Sequence, residues 1–151
     1  AEDAKFLEHE GFDWESIQKA YEKNLQKGKV VAGGSTISQQ LAKNLFLSST
    51  RTPWRKVEEA LITLMLERMM DKQRILEIYL NIIEWGNGVF GAEAAARHYY
   101  GVSAAALSME QAARLAAIVP NPSFYDRNRN TPWLNRKTGI ILERMNAVEA
   151  P

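Results

Sequence analysis

The sequence has no cysteine among its 151 residues, and it also lacks a long apolar run and a strong net charge. The absence of cysteine excludes disulfide bonds and thiolate metal sites. It is compatible with both an oxidising and a reducing compartment. The most apolar run, residues 60–66, is far shorter than the roughly 20 residues that a membrane span requires. A net charge of +1 provides no global field for nucleic acid, so we expect no nucleic-acid partner.

The residues that are present predict one folded and mainly helical domain. Hydrophobic residues make up 46% of the chain, and 151 residues are enough to bury a core. No stretch alternates strictly between apolar and polar residues, so nearly all of the fold is predicted to be α-helical. The sequence begins with Ala1 and enters a motif at once, so we expect that upstream sequence has been removed.

Capping residues and apolar spacing divide the chain into helices. Asp13 can cap a helix that Gly28 ends, and Pro53 suits the first turn of a helix that continues to about Met70. A basic loop is predicted over residues 125–130. The predicted helices cover residues 14–27, 36–45, 53–70, 72–85, 91–100, 108–120 and the chain from 131 onward.

The stretch 33–44 is the centre of the functional interpretation. Its two glycines allow a turn, after which Ser35 or Thr36 can cap a helix, and Thr36 with Gln39 fits a capping box. An ordinary amphipathic helix with a solvated side explains the pattern, and composition alone favours that interpretation. However, adjacent Gln39 and Gln40 beside two hydroxyls exceed the hydrogen-bonding needs of a solvent face. We interpret the stretch as one wall of a site for an anionic, polyhydroxylated ligand.

Cations and carboxylates on neighbouring segments suggest the chemistry of such a site. Lys43, Arg55 and Lys56 lie on two successive helices and can form a local pocket for phosphate. Glu2 and Glu59 supply two carboxylates, the usual equipment for attack at an anomeric carbon. With pyrophosphate as the leaving group, cations can replace the general acid. The alternatives are a frayed terminal charge at Glu2 and a simple surface pair between Arg55 and Glu59, worth about 0.3 kcal/mol.

Four motifs occur in a fixed order along the chain, and together they are specific. They read EDAKFLEHEGFD at residues 2–13, GGSTISQQLAKN at 33–44, RKVEEA at 55–60 and RILEIYLN at 74–81. In this order they resemble the motifs of the peptidoglycan glycosyltransferases, family 51. Residues 91–100 and 107–116 are similar to the family's fifth region, so the resemblance covers essentially the whole chain. Residues 89–91 and 119–122 look more like the monofunctional biosynthetic transglycosylases than like an excised domain of a two-domain penicillin-binding protein.

The resemblance implies a fold and a location. It implies a lysozyme-like helical fold in which residues 1–151 form a single glycosyltransferase domain, with a larger head lobe and a small jaw lobe at residues 27–53. The jaw is expected to touch the membrane; its apolar residues 45–47 could be core or a lipid-facing edge. The implied location is the extracytoplasmic (periplasmic) face of the bacterial cytoplasmic membrane, with an N-terminal membrane anchor that this chain lacks.

The resemblance also implies a reaction and roles for residues. The reaction is polymerisation of lipid II into β-1,4 glycan strands with release of polyprenyl pyrophosphate and inversion at the anomeric carbon. Glu2 matches the general base. Glu59 would order the donor pyrophosphate, directly or through a divalent cation such as Mg²⁺ or Mn²⁺, and Lys43 and Arg55 would bind its phosphates. The further substrate-binding positions are Ser35, Thr36, Gln40, Asn44 and Lys56.

The sequence and the motif resemblance also predict cofactors and partners, and they leave alternative functions open. The sequence requires no cofactor, and it has no His/Asp set at metal-ligand spacing, so no protein-held metal site is predicted. The expected partners are lipid II, the growing glycan strand and the membrane surface, and cell-wall synthesis or division proteins are further candidates. The resemblance also implies inhibition by moenomycin. The alternative functions are a lysozyme-like glycan hydrolase or lytic enzyme, and a non-enzymatic helical module that binds a membrane or an assembly partner.

Overall fold

The computed structural model describes residues 2–29, 33–47, 52–145, 147 and 151, and in these residues the chain is mainly α-helical. This confirms the predicted fold class and is consistent with a lysozyme-like helical fragment. None of the described helices has both the length and the apolarity needed to cross a membrane. Their bounds are α1 Trp14–Lys27, α2 Ile37–Phe46, α3 Pro53–Met69, α4 Lys72–Ile82, α5 Ala92–Tyr100, α6 Met109–Ile118, α7 Pro122–Arg127 and α8 Pro132–Met145.

The chain divides into two compact units that are described separately. The first unit contains residues 1–4 and 80–150, and the second contains residues 5–79 together with residue 151. The predicted jaw, residues 27–53, falls within the second unit, and its stretches 30–32 and 48–51 lie outside the described residues. The division of the domain into head and jaw therefore stays a prediction.

The second unit is built from α1, α2, α3 and most of α4 around an apolar core. Asp13 caps α1 by accepting hydrogen bonds from the Ser16 amide (2.9 Å) and hydroxyl (2.6 Å), and these bonds lower the pKa of the Asp13 carboxyl. The α2 capping box predicted for Thr36 is present. Because the Thr36 hydroxyl also donates to the Gly11 carbonyl (2.6 Å), the start of α2 is tied to the segment before α1. Fully buried side chains of the core are Leu41, Ala42 and Ile75.

The first unit joins the end of α4 to a short hairpin and four further α-helices. Strands β1 (Glu84–Gly86) and β2 (Val89–Phe90) pair antiparallel, and Gly88 in the turn between them has a φ of +76° that favours glycine. A short 3₁₀ helix, Ala104–Ala106, follows α5. Helix α6 packs against α8, and α7 packs against β1. The side chains of Ala95, Leu115, Ala117, Ile118 and Leu134 form much of the core of this unit.

Three details of the predicted secondary structure are wrong. The hairpin was not expected, because strands of three and two residues are too short to show a period of two. Helix α4 ends at Ile82 instead of residue 85, since β1 begins two residues later. Residues 122–127 form α7 where a loop was predicted over 125–130; Pro122 occupies the first helical turn, where its missing N–H costs nothing.

Gly34 provides a direct test of the packing between α1 and the start of α2. A Cβ atom at residue 34 would lie 2.8 Å from the Ile17 Cα atom and 3.2 Å from the Ser16 carbonyl oxygen. Because both obstacles are backbone, we expect Gly34→Ala to lower the free energy of unfolding by about 1–3 kcal/mol. Urea denaturation followed by circular dichroism measures this loss.

Gly33→Ala is the matched control for this substitution. A Cβ atom at residue 33 would meet no atom within 4 Å in the part of the chain that the structure describes. We therefore expect a change within about 0.5 kcal/mol of the parent protein. Equal losses for the two variants would contradict a close approach specific to Gly34.

Candidate active site

The predicted substrate-binding residues of the second unit lie just before α2, on α2 and on α3, and these two helices pack against each other. Gln40, Lys43 and Asn44 occupy one side of α2 at 100° per residue, and Lys43 and Asn44 are exposed there. Arg55 and Glu59 lie one turn apart on α3, near its N-terminal end. Both helices therefore bring predicted site residues into the same compact unit.

Glu59 is a buried carboxylate with one counter-ion. Only 3% of its side chain is exposed, and Oε1 forms an ion pair and hydrogen bond with Nζ of Lys56, whose side chain is 58% exposed. The partner in the predicted simple pair was Arg55, four residues away, whereas the structure gives Lys56, three residues away. A desolvated carboxylate that keeps one cation can hold a fixed negative charge at the mouth of a polar site.

Arg55 keeps unused hydrogen-bonding capacity. The residue is half-buried, and its Nε atom is buried with no hydrogen-bond partner among the described residues. A guanidinium has five N–H donors and stays positively charged in a protein. A guanidinium with an N–H group that lacks a partner therefore favours an anionic ligand. Because the backbone amide of Arg55 donates to the Thr52 hydroxyl (3.2 Å), the first turn of α3 is fixed where Arg55 begins.

The predicted wall at residues 35–44 divides into an inner and an outer part. Thr36 is buried, and its hydroxyl already serves the helix cap and the Gly11 carbonyl. Gln40 is held in place because its Oε1 accepts a hydrogen bond from the Tyr79 hydroxyl (2.9 Å). Ser35 is exposed, as are Lys43 and Asn44. The outer residues can therefore face a ligand, while Thr36 maintains the backbone behind them.

Glu2, the predicted general base, belongs to the first unit and is partly exposed. Glu59 and the predicted cations belong to the second unit. The catalytic role of Glu2 stays a prediction.

Sequence reasoning missed a buried polar network beneath the same helices. The Ser38 hydroxyl, which is fully buried, donates to Oε1 of Glu67. Lys72 Nζ donates to the same oxygen (2.7 Å) and to the His9 carbonyl (2.6 Å), and it lies 4.7 Å from the centroid of the Phe6 ring. Ser38 and Glu67 are 29 residues apart, so no local spacing could have identified this network. It joins α2, α3, the start of α4 and the segment before α1.

No group of three or more His, Asp, Glu or Cys residues within the described ranges could hold a metal ion. The charged groups that the structure describes on α2 and α3 include the cations Lys43, Arg55 and Lys56 and two buried carboxylates, Glu59 and Glu67.

Comparison with known proteins identifies the class to which this helical fold belongs. The chain belongs to the transglycosylase family, because the model of the family described as "Transglycosylase" matches residues 1–146. Relatives from Nitrosospira multiformis and Laribacter hongkongensis are each 74% identical over all 151 residues, and one from Nitrosomonas eutropha is 60% identical over 150 residues. All three carry the name biosynthetic peptidoglycan transglycosylase. The resemblance found in the motifs is thereby confirmed.

The chain does not span the whole of these relatives. It covers 66% of the length of the Nitrosospira and Laribacter proteins and 62% of the Nitrosomonas protein.

Glu67 tests whether the buried network stabilises the second unit. In Glu67→Gln the Ser38 hydroxyl keeps a neutral partner, whereas the ammonium of Lys72 loses its carboxylate. We expect the free energy of unfolding to fall by about 1–3 kcal/mol, measured by urea denaturation. Glu58→Gln, on the exposed side of the same helix, is the control and should change stability by less than about 0.5 kcal/mol. Indistinguishable curves for the two variants would show that the network contributes no net stability.

Proposed function

We propose that this protein polymerises lipid II into β-1,4 glycan strands at the extracytoplasmic face of the bacterial cytoplasmic membrane. The observation that carries the proposal is the combination on α3 of buried Glu59, its partner Lys56, and Arg55 with an unsatisfied Nε atom. Helix α2, which packs against α3, adds the exposed cation Lys43. Family membership and the names of the relatives support a peptidoglycan product.

The proposed reaction is a direct displacement at the anomeric carbon of the donor sugar. The 4-hydroxyl oxygen of the acceptor forms a bond to C1 while the bond from C1 to the pyrophosphate oxygen breaks, which inverts the configuration. Glu2 accepts the proton of that hydroxyl as general base. The electron pair of the breaking bond leaves with the pyrophosphate, whose charge Lys43 and Arg55 stabilise. No general acid is needed, since the leaving group is already a stable anion.

Glu59 holds the cationic side of this site in place. Its carboxylate fixes Lys56 and supplies the negative charge against which the nearby cations are arranged. Mg²⁺ in phosphate sites is commonly held by one or two carboxylates together with the substrate phosphates. Glu59 and a bound diphosphate would together fit such an ion, although the described side chains alone do not form a complete set of ligands. A bound divalent cation would supply further charge neutralisation at the diphosphate. Ser35, Gln40 and Asn44 are proposed to contact sugar or phosphate oxygens from the outer side of α2.

Helix α3 also supports the proposed contact with a membrane surface. Its exposed side carries Trp54, Leu61, Met65 and Met69, and Trp54 and Met69 are 76% and 77% exposed. With Val57 and Leu64, these side chains fall within one arc of about 140°, interrupted only by Glu58 and Arg68. Such an unpartnered apolar face on a helix too short and too polar to span a bilayer is typical of helices that lie in the membrane interface.

The catalytic assignments predict a large loss of polymerisation with the fold preserved. Glu2→Gln removes the base and should lower kcat about 10²- to 10⁴-fold with purified lipid II. Lys43→Ala removes a cation that receives leaving-group charge and should cost about 10²-fold. Lys23→Ala, an exposed lysine of α1, and Glu58→Gln are the controls and should retain parental activity. Circular dichroism and urea denaturation confirm that each variant is folded.

Two outcomes would contradict these assignments. Polymerisation by Glu2→Gln at more than half the parental rate would remove Glu2 from the role of base. If mature sacculi are degraded while lipid II is left unchanged, the protein is the hydrolase of the alternative interpretation. Offering the two substrates separately distinguishes these cases.

The membrane contact is tested with a pair of exposed tryptophans in the second unit. Trp54→Ala should weaken cosedimentation with vesicles of phosphatidylglycerol and phosphatidylethanolamine about 3- to 10-fold, because a large apolar side chain leaves the interface. Trp14→Ala removes an equally exposed tryptophan from α1 and should leave binding unchanged. Equal effects of the two substitutions would show that the α3 stripe is not the contact surface.

A further inference from the structure

The first unit contains a pocket that the proposed glycosyl transfer does not use. It has a volume of about 230 Å³ and lies between the end of α5, helix α6 and the segment that leads into α8. None of the predicted site residues lines it. Its lining includes Tyr99, Tyr100, Arg114, Ile118, Arg129 and Leu134.

Arg114 is a cation of this pocket whose hydrogen-bond partners among the described residues include no carboxylate. Its guanidinium donates to Oδ1 of Asn135 (2.9 Å), to Oδ1 of Asn130 (3.2 Å) and to the Arg129 carbonyl. All three partners are neutral, so they orient the guanidinium and leave its charge uncompensated within the described residues. Two of its five N–H groups stay available to a ligand.

Arg129 is held differently and serves as a fixed wall. Its guanidinium donates to Oδ1 of Asp126 (3.0 Å) and lies 4.8 Å from the centroid of the Tyr99 ring. Asp126 is in turn 2.7 Å from Nε2 of His98 and accepts the Asn87 amide (3.1 Å). The hydrogen bond from His98 lowers the pKa of Asp126 to about 2, so the carboxylate stays charged and Arg129 stays paired.

The remaining surfaces of the pocket give it a polar corner and an apolar floor. Leu134 and Ile118 are almost completely buried and form the apolar part. The Tyr100 hydroxyl makes no hydrogen bond within the described part of the chain, and burial raises the pKa of this phenol, so it stays protonated and can donate. The Arg114 guanidinium with its neutral partners, the Tyr100 phenol and the apolar floor suit a small ligand that carries one carboxylate beside a methyl group.

We propose that this pocket binds the carboxylate end of the peptide stem of the glycan substrate, with Arg114 and Tyr100 as the groups that hold the carboxylate. The proposal rests on the proposed function, because the motif resemblance implies a lipid II substrate that carries a peptide. A pocket of this size accommodates one or two small residues.

The test measures binding of a short peptide instead of polymerisation. N-acetyl-D-alanyl-D-alanine is titrated into the 15N-labelled 151-residue chain, and chemical-shift changes are expected at the amides around residues 100, 114 and 130. The C-terminal carboxamide of the same peptide should bind at least 10-fold more weakly. Arg114→Gln should weaken binding of the acid at least 10-fold, whereas Arg136→Gln, an exposed arginine of α8, should leave it unchanged.

A second variant covers the case in which Arg114→Gln disturbs the fold. Tyr100→Phe removes only the hydroxyl and should weaken binding of the acid about 3-fold, with Tyr21→Phe as the control. Equal binding of acid and carboxamide, or shift changes confined to other residues, would overturn the proposal. Displacement of the peptide by acetate or inorganic phosphate at equal concentration would overturn the assignment to a peptide in favour of a general anion site.

Failure of this inference and failure of the proposed function give different results. Glu2→Gln should bind the dipeptide as the parent does, because Glu2 does not line the pocket. In polymerisation assays, Arg114→Gln should raise the KM for lipid II several-fold with kcat unchanged. If lipid II is not polymerised at all but the dipeptide binds at the pocket, the proposed function fails and the carboxylate site stands.

Discussion

The burial of two carboxylates on one helix is the constraint on which the second unit depends. Glu59 and Glu67 of α3 are both nearly inaccessible to solvent, and an ionised carboxylate without a partner would cost several kcal/mol at either position. Each therefore requires a cation, Lys56 for Glu59 and Lys72 for Glu67. Because Lys72 also donates to the backbone before α1, this requirement fixes the start of α4 against three other segments of the unit.

The same constraint places polar side chains on the inner side of α3, beside the buried Leu66. Glu59, Thr63 and Glu67 take the inner side of the helix, and the Thr63 hydroxyl donates to the Glu59 carbonyl (2.7 Å). The apolar side chains that would ordinarily fill that side, such as Trp54 and Met69, are on the outside. In water such a face is unfavourable, whereas at a bilayer surface it is stabilising. Under the proposed function, a helix of this kind provides both a polar site and a membrane contact from one short segment.

What could be predicted from the sequence were features with short-range causes. The caps at Asp13 and Thr36 depend on residues three positions away, and both are present. The polar network beneath α2 depends on contacts between residues far apart in sequence, and Glu67 alone looks like any charged residue near the end of a helix. Similarly, the two-stranded hairpin is set by the turn at 87–88 and by packing against α7, not by a periodic pattern. The motifs identified the family because they contain both residues with local roles, such as helix caps, and residues whose contacts are far away in sequence.

The stretch 33–44 shows why such a motif is denser in polar residues than a binding site needs. Thr36, Ser38 and Gln39 are buried and make internal hydrogen bonds, so they determine where α2 begins and how it packs. Lys43 and Asn44 are exposed and do not take part in fixing the start of α2. A helix that must present cations at a fixed position needs both sets, since displacement by 1 Å is enough to weaken a charged contact. The glutamines first interpreted together as one wall therefore differ in kind: Gln39 holds the helix start, and Gln40, fixed by Tyr79, connects that frame to the outer surface.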